Sequence, residues 1–139
     1  MTTATHRKPD VSSLIVAADI VARVEHGVTS AITVNPHGGQ LPHVDLQFKD
    51  YIDGAAAALQ FGLRPSLRTD GFQTWRGVVD GVELCVFGEP QVRYHVVEID
   101  GRHRIVLSNG TTTGSFTSFM AAERAAFDLG FEHADADAA

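Results

Sequence analysis

The sequence RYHVVEIDGRHRIVLS, residues 93–108, decides what kind of domain this chain forms. Two runs of alternating side chains flank Asp100-Gly101, a pair that strongly favours a two-residue β-hairpin turn. Such a turn fixes the register of the two strands, so that Val97 pairs with Arg104. One face of the hairpin is then wholly apolar at its centre and must meet the helices, while the other face points outward.

The outward face of this hairpin mixes β-branched side chains with basic ones. A second hairpin around Asp80-Gly81 sends a similar mixture outward, and Cys85 with it. If the two hairpins share a sheet, its outer face is an apolar surface among arginines, which is typical of interaction surfaces. The predicted interaction surface comprises Arg76, Val78, Phe87, Arg93, His95, Val97, Ile99, Arg102, Arg104 and Val106. The same mixture also fits long strands that tolerate outward Val and Ile, or a face covered by residues 63–73 or the N-terminal leader.

Outside the hairpins, hydrophobic periodicity predicts three helices and two further strands. Helical spacing predicts a helix over about 11–26, capped by Asp10 or Ser12, and a helix that begins after Asp50. A third helix is expected over about 118–129, and alternation predicts strands at 28–34 and 43–48. The expected fold is α+β, with one antiparallel sheet of about six strands backed by three helices in two layers. The expected order is α-ββα-ββ-ββα.

Length and composition predict one domain. The chain has 139 residues, a 44% hydrophobic fraction and a net charge of −6, which suits an ordinary globular domain and disfavours wholesale nucleic-acid binding. We expect a flexible leader at 1–9, one domain over 10–131 with a possible sub-boundary at 88–90, and a disordered acidic tail at 132–139. No apolar run is long enough to span a bilayer, and the one cysteine has no internal partner. A cytoplasmic protein is therefore expected.

Few residues suggest catalysis or metal binding. His37, His43 and Asp45 are weak candidates for a metal site, because their nitrogen and oxygen atoms suit a divalent ion. The two residues on the strand, however, occupy a face that polar side chains fill without any function. Cys85 lacks an evident base, and neither a nucleophile elbow nor a phosphate-binding loop occurs. The sequence thus predicts no cofactor and no enzymatic activity.

Part of the sequence resembles known small modules. Tyr94-His95-Val96-Val97, Asp100-Gly101-Arg102 and a later Ala122-Glu123-Arg124-Ala125-Ala126 resemble ββα units of actinobacterial and phage proteins, among them the arm-type DNA-binding domains of tyrosine integrases. The first half looks like small α+β proteins of actinobacteria. The integrase resemblance implies that the sheet approaches DNA, through Arg93, Arg102 and Arg104.

Two functional hypotheses follow from the sequence. The first is a non-enzymatic protein-interaction module that acts through its outer sheet face, as a homodimer or as an accessory factor of a phage or its host. The alternative is a nucleic-acid-binding accessory protein that uses the basic hairpin at 93–104. No membrane partner is expected.

Overall fold

The computed structural model describes residues 11–25, 27–34, 41–69 and 71–135. The predicted leader, Asp10, His37 and the last four residues of the predicted tail lie outside the described residues. Along the described chain the elements run in the order α1 Val11–Arg23, β1 Val28–Val34, β2 His43–Phe48, α2 Tyr51–Gln60, β3 Arg64–Thr69, β4 Phe72–Val79, β5 Val82–Gly88, β6 Arg93–Ile99, β7 Arg102–Leu107, β8 Thr112–Phe116, α3 Phe119–Asp128 and β9 Glu132–His133.

The strands form two mixed sheets. The first sheet has the order β1-β2-β5-β4-β3, in which β2 and β5 run parallel. Helix α2 and the β3–β4 hairpin together make the crossover that a parallel pair requires. The second sheet has the order β8-β7-β6-β9, in which β9 runs parallel to β6 after the return through α3.

The α+β class and the three helices are confirmed, but the predicted single antiparallel sheet of about six strands is wrong. The additional strands β3 and β8 lie in segments without regular alternation. The β3–β4 register shifts between Pro65 and Arg68, and the β7–β8 register shifts between His103 and Ile105. A register shift moves successive side chains off the two-residue period, which hides a strand from pattern analysis. The predicted acidic tail begins too early, because Glu132 and His133 pair with β6.

The two predicted hairpin turns and two helix starts are confirmed. Asp80 and Gly81 have φ angles of 51° and 78°, and the Asp100-Gly101 turn shows the same pair of positive angles, as a type I′ turn requires. The side chains of Asp50 and Ser118 accept hydrogen bonds from Ile52 N and Ala121 N, at 2.9 and 3.1 Å. These caps satisfy backbone donors that have no partner within the helix.

One hydrophobic core serves both sheets. Helix α2 lies so close to β5 that a Cβ at Gly54 would stand 2.0 Å from Phe87 O. Trp75, from the first sheet, is 1% exposed and donates from Nε1 to Leu129 O, at the end of α3, over 3.1 Å. The 88–90 segment therefore joins two sheets that share one core. Among the described residues, no helix is both long enough and apolar enough to cross a membrane.

Candidate functional site

The outer face of the second sheet carries most of the predicted interaction residues. We use this name for Arg93, His95, Val97 and Ile99 of β6 and Arg102, Arg104 and Val106 of β7. The observed pairing is the expected one, with Val97 opposite Arg104 and His95 opposite Val106. The other face of these strands is buried, with Tyr94, Ile105 and Leu107 each at most 4% exposed. The burial of that face fixes which side chains remain available outside.

Two arginines of this face are tied to neighbouring groups. Arg102 donates to Ser115 through Nε, at 2.9 Å from Oγ, and through Nη2, at 3.1 Å from the carbonyl oxygen. Arg93 Nη2 lies 3.5 Å from a carboxylate oxygen of Glu132, its pairing partner on β9. These contacts hold both side chains along the surface of their own sheet.

Arg104 is held differently. The residue is half-buried, and its Nε is shielded from solvent without a hydrogen-bond partner anywhere in the described part of the chain. A buried donor that has lost water and gained no acceptor costs roughly 1–3 kcal/mol. Arg104 is therefore a basic group whose Nε has no acceptor among the described residues.

Apolar side chains surround the arginines on this face. Ile99 is 45% exposed, and Val97 and Val106 are half-buried. His95 is exposed between them. The surface thus combines contact area for an apolar partner with donors for an anionic one.

The remaining predicted residues lie on the other sheet, so the assumption that both hairpins share one sheet is wrong. Arg76 Nη1 contacts Glu83 Oε1 at 3.0 Å, Val78 is 62% exposed, and Phe87 is half-buried. These three residues belong to β4 and β5 of the first sheet. The predicted surface is therefore divided between two sheets.

A polar cluster on the outward face of β2 and β5 combines His43 and Asp45, which the sequence analysis named, with Glu83, which it did not connect to them. The parallel pairing places His43 beside Glu83 and Asp45 beside Cys85. His43 Nε2 lies 2.5 Å from Asp45 Oδ1, and its Nδ1 lies 3.5 Å from Glu83 Oε1. Local patterns placed His43 and Asp45 on one face but gave no signal for the approach of Glu83, because β2 and β5 are separated by a helix and a hairpin.

Cys85 is fully buried, although the hairpin register assigned it to the outward face. Burial raises the pKa of its thiol to about 11; the Arg76 charge opposes this shift, and Asp45 and Glu83 reinforce it. The thiolate is the nucleophilic form of cysteine. At neutral pH Cys85 is consequently a buried thiol rather than an activated nucleophile.

Of the three residues considered as metal ligands, His43 and Asp45 hydrogen-bond to each other. The third, His37, lies outside the described residues. No group of three or more His, Cys, Asp or Glu side chains suited to a metal ion occurs within the described ranges. The structure thus supplies no ligand set around which a metal site could be argued.

A second cluster, which the sequence analysis did not predict, joins α3 to the second sheet. The Tyr94 hydroxyl donates to Glu123 Oε2, and His133 Nε2 lies 3.7 Å from the other oxygen of the same carboxylate. Burial, and then the contact with Glu123, raises the Tyr94 pKa above its ordinary value. This arrangement fixes α3 against the edge of the sheet formed by β6 and β9.

A shallow cleft of about 200 Å³ lies where α2 and α3 approach each other. Its lining is mostly apolar, with Arg64 and Asp128 as the charged members. It is smaller than the roughly 300–1,000 Å³ of common small-molecule sites. The cleft is therefore a weaker candidate for a binding site than the outer face of the second sheet.

No protein-family model, curated protein or solved structure matches this chain. The resemblance of the C-terminal unit to integrase arm-type domains stays a prediction. The outer face of the second sheet is the candidate site on the strength of its own geometry.

Proposed function

We propose that this protein is a non-enzymatic interaction module that binds an acidic segment of a partner protein through the outer face of the second sheet. The proposal follows the surface itself, in which apolar side chains of one strand lie opposite basic side chains of the other, as Val97 and Ile99 do opposite Arg104 and Arg102. We also propose a cytoplasmic location, because the one cysteine is a free thiol.

The incomplete hydrogen bonding of Arg104 is the observation that carries the proposal. Buried polar groups without partners are uncommon in native proteins, and each has a physical cause. A carboxylate brought by a partner would accept from this guanidinium in a charge-assisted bond, which is stronger than a neutral one. Because Nε itself is closed to solvent, binding recovers this cost when the Arg104 side chain turns outward to meet the partner's carboxylate.

A protein partner fits this face better than a nucleic acid does. Val97, Ile99 and Val106 contribute apolar area among the basic side chains, as the centre of a protein interface does. Phosphate contacts would instead favour a broadly basic surface, and this chain has a net charge of −6. The nucleic-acid alternative depends on Arg93, Arg102 and Arg104, and the first two already have acceptors in the protein.

Amide chemical-shift mapping tests the proposal. The ¹⁵N-labelled protein is titrated with a synthetic peptide of glutamate and leucine, and separately with a lysine–leucine peptide of the same pattern. We expect shifts on β6 and β7 with the acidic peptide alone. Arg104→Met should weaken this binding by about tenfold, the equivalent of one charge-assisted hydrogen bond. Arg64→Met, on the first sheet, serves as the matched control and should bind normally.

Three outcomes would contradict the proposal. The first is equal binding of both peptides, and the second is shifts confined to the first sheet. The third is binding of a DNA duplex with an affinity that falls steeply with salt, which would favour the nucleic-acid alternative. Sedimentation addresses self-association, because a dimer that Val97→Asp dissociates would identify a second copy of this chain as the partner.

A further inference from the structure

The backbone hydrogen bonds of β6 show which residues face each of its neighbours. Ser108 N donates to Arg93 O at 3.0 Å, so the odd-numbered residues of β6 direct their backbone groups toward β7. On the opposite side, Glu132 N donates to Val92 O at 2.8 Å and Ala134 N donates to Tyr94 O at 2.7 Å. The even-numbered residues therefore face β9.

Strand β9 covers only the beginning of this edge. It ends at His133, and the chain turns at 134–135. By the same alternation, the backbone N–H and C=O groups of Val96 and Glu98 point to the side of β6 on which β9 lies. Strand β9 ends before it reaches them. No strand within the described ranges pairs with β6 at these two residues. They present the unpaired backbone groups to which another strand can bond.

Two other sheet edges are protected. Helix α2 lies beside β8, where Thr113 Oγ1 donates to Ala56 O over 3.3 Å. The edge strand β3 contains Pro65 and a register shift. Helices, prolines and bulges are the usual means by which proteins block strand addition. Neither a proline nor a bulge interrupts β6 between Val96 and Glu98.

Helix α3 presents an apolar flank along the same edge. Glu123 bonds to Tyr94, so its side of the helix faces β6 and β9. Phe119 and Phe127 lie four residues before and after Glu123 and thus on the same flank. They are 48% and 74% exposed. Met120, beside Phe119, is 73% exposed.

Strand register locates Phe119 near the unpaired segment. Phe116, at the end of β8, pairs with His103, and His103 pairs with Glu98. Helix α3 begins three residues after Phe116, so its first turn lies toward the Glu98 end of β6. Unpaired backbone groups of β6 and exposed apolar side chains of α3 therefore lie toward the same end of the second sheet.

We propose that the edge of β6 at Val96–Glu98 binds an extended segment of a partner protein as an additional strand. The segment pairs through its backbone with Val96 and Glu98, which is the β-augmentation mode of peptide recognition. Alternate side chains of a strand point to opposite faces. Those directed inward meet Phe119 and Met120 and are apolar, whereas those directed outward lie beside the basic face and are acidic. This site goes beyond the proposed function, because it is the strand edge rather than the sheet face.

The experiment uses a seven-residue peptide that alternates valine and glutamate, with both ends blocked. Glu98→Pro removes an amide proton that the protein's own sheet does not use, and proline is tolerated in edge strands. Glu98→Ala is its matched control, because it loses the same side chain and keeps the amide. We expect the proline variant to bind the peptide at least about tenfold more weakly than the alanine variant, from the loss of one donor and the bulk of the ring.

Amide hydrogen exchange gives a second readout that does not depend on any variant. In the free protein we expect the amides of Val96 and Glu98 to exchange rapidly, while those of Val97 and Ile99, which face β7, are protected. The peptide should slow exchange at the first pair alone. N-methylation of the peptide amides that face β6 should abolish the effect, and N-methylation of the other amides should preserve it.

Several results would overturn the inference. Equal affinity of the two Glu98 variants would do so, as would protection of Val96 and Glu98 in the free monomer or no binding at a peptide concentration of about 1 mM. A dimer that Glu98→Pro dissociates would show that a second copy occupies the edge instead of a partner segment. Arg104→Met separates the two proposals, because it weakens binding at the face by about tenfold and, at saturating peptide, leaves the exchange protection of Val96 and Glu98 unchanged.

Discussion

Replacing Arg104 with methionine should stabilise the free protein. Methionine keeps much of the length and apolar contact of the arginine stem and removes the buried Nε that has no partner in the described chain. An unsatisfied buried donor costs about 1–3 kcal/mol, and part of that cost returns through the packing that the new side chain loses. We expect a net gain of about 1 kcal/mol in the free energy of unfolding, or roughly 4 °C in Tm for a domain of this size.

Arg102 offers a matched control in the same strand and on the same face. Its guanidinium donates twice to Ser115, so Arg102→Met removes satisfied hydrogen bonds. Because Arg102 is exposed, its loss should cost no more than about 1 kcal/mol. Urea unfolding of the three proteins, followed by tryptophan fluorescence, measures the difference, since Trp75 lies in the shared core.

Whether Arg104→Met raises or lowers the free energy of unfolding decides whether Arg104 lacks an acceptor in the folded protein. If Arg104→Met lowers the free energy of unfolding by more than about 1 kcal/mol, Arg104 has an acceptor in the folded protein and its bonding is complete. The physical basis of the proposed function would then be lost. If both variants are destabilised equally, the two arginines do not differ in the way that their contacts indicate.

Further variants test the packing and the buried thiol. Gly54→Ala should destabilise the protein by roughly 3 kcal/mol in urea unfolding, because the added Cβ meets backbone 2.0 Å away, whereas Gly27→Ala, with no atom within 4 Å, should be neutral. Trp75→Phe should cost about 1–3 kcal/mol, since Leu129 O loses its buried donor. Because folding raises the Cys85 pKa, the folded state favours the protonated thiol. The stability that this thiol contributes should be complete below pH 9 and be lost as the pH rises toward about 11. Cys85→Ala should remove that alkaline dependence, and native Cys85 should resist alkylation at pH 8 until the protein unfolds.

The sequence predicted local structure where one short signal determines it. Asp100-Gly101 sets the turn, and the turn sets the register of β6 and β7 with all its pairs. The same signal assigned the second-sheet residues of the candidate site to the outer face. The cap at Asp50 follows from the hydrogen-bonding chemistry of short polar side chains in the same way.

The sequence could not predict which strands become neighbours across long connections. The parallel contact of β2 with β5 depends on how α2 packs, and α2 approaches β5 through Gly54, whose lack of a side chain carries no periodic signal. The approach of Glu83 to His43 depends on that contact and was therefore missed. Strand β9 consists of two residues in an acidic segment, too few for any alternation to appear.

The open edge of β6 and the outer face of the second sheet adjoin each other. A strand added beside β6 would lie two strand spacings, about 10 Å, from β7. A glutamate at the position beside Val97 would then point outward in the same row as Arg104, which pairs with Val97. The two side chains together span that distance. An acidic, alternating segment would accordingly bond to the edge through its backbone and bring a carboxylate to the Arg104 guanidinium, whose Nε gains an acceptor when the side chain turns outward.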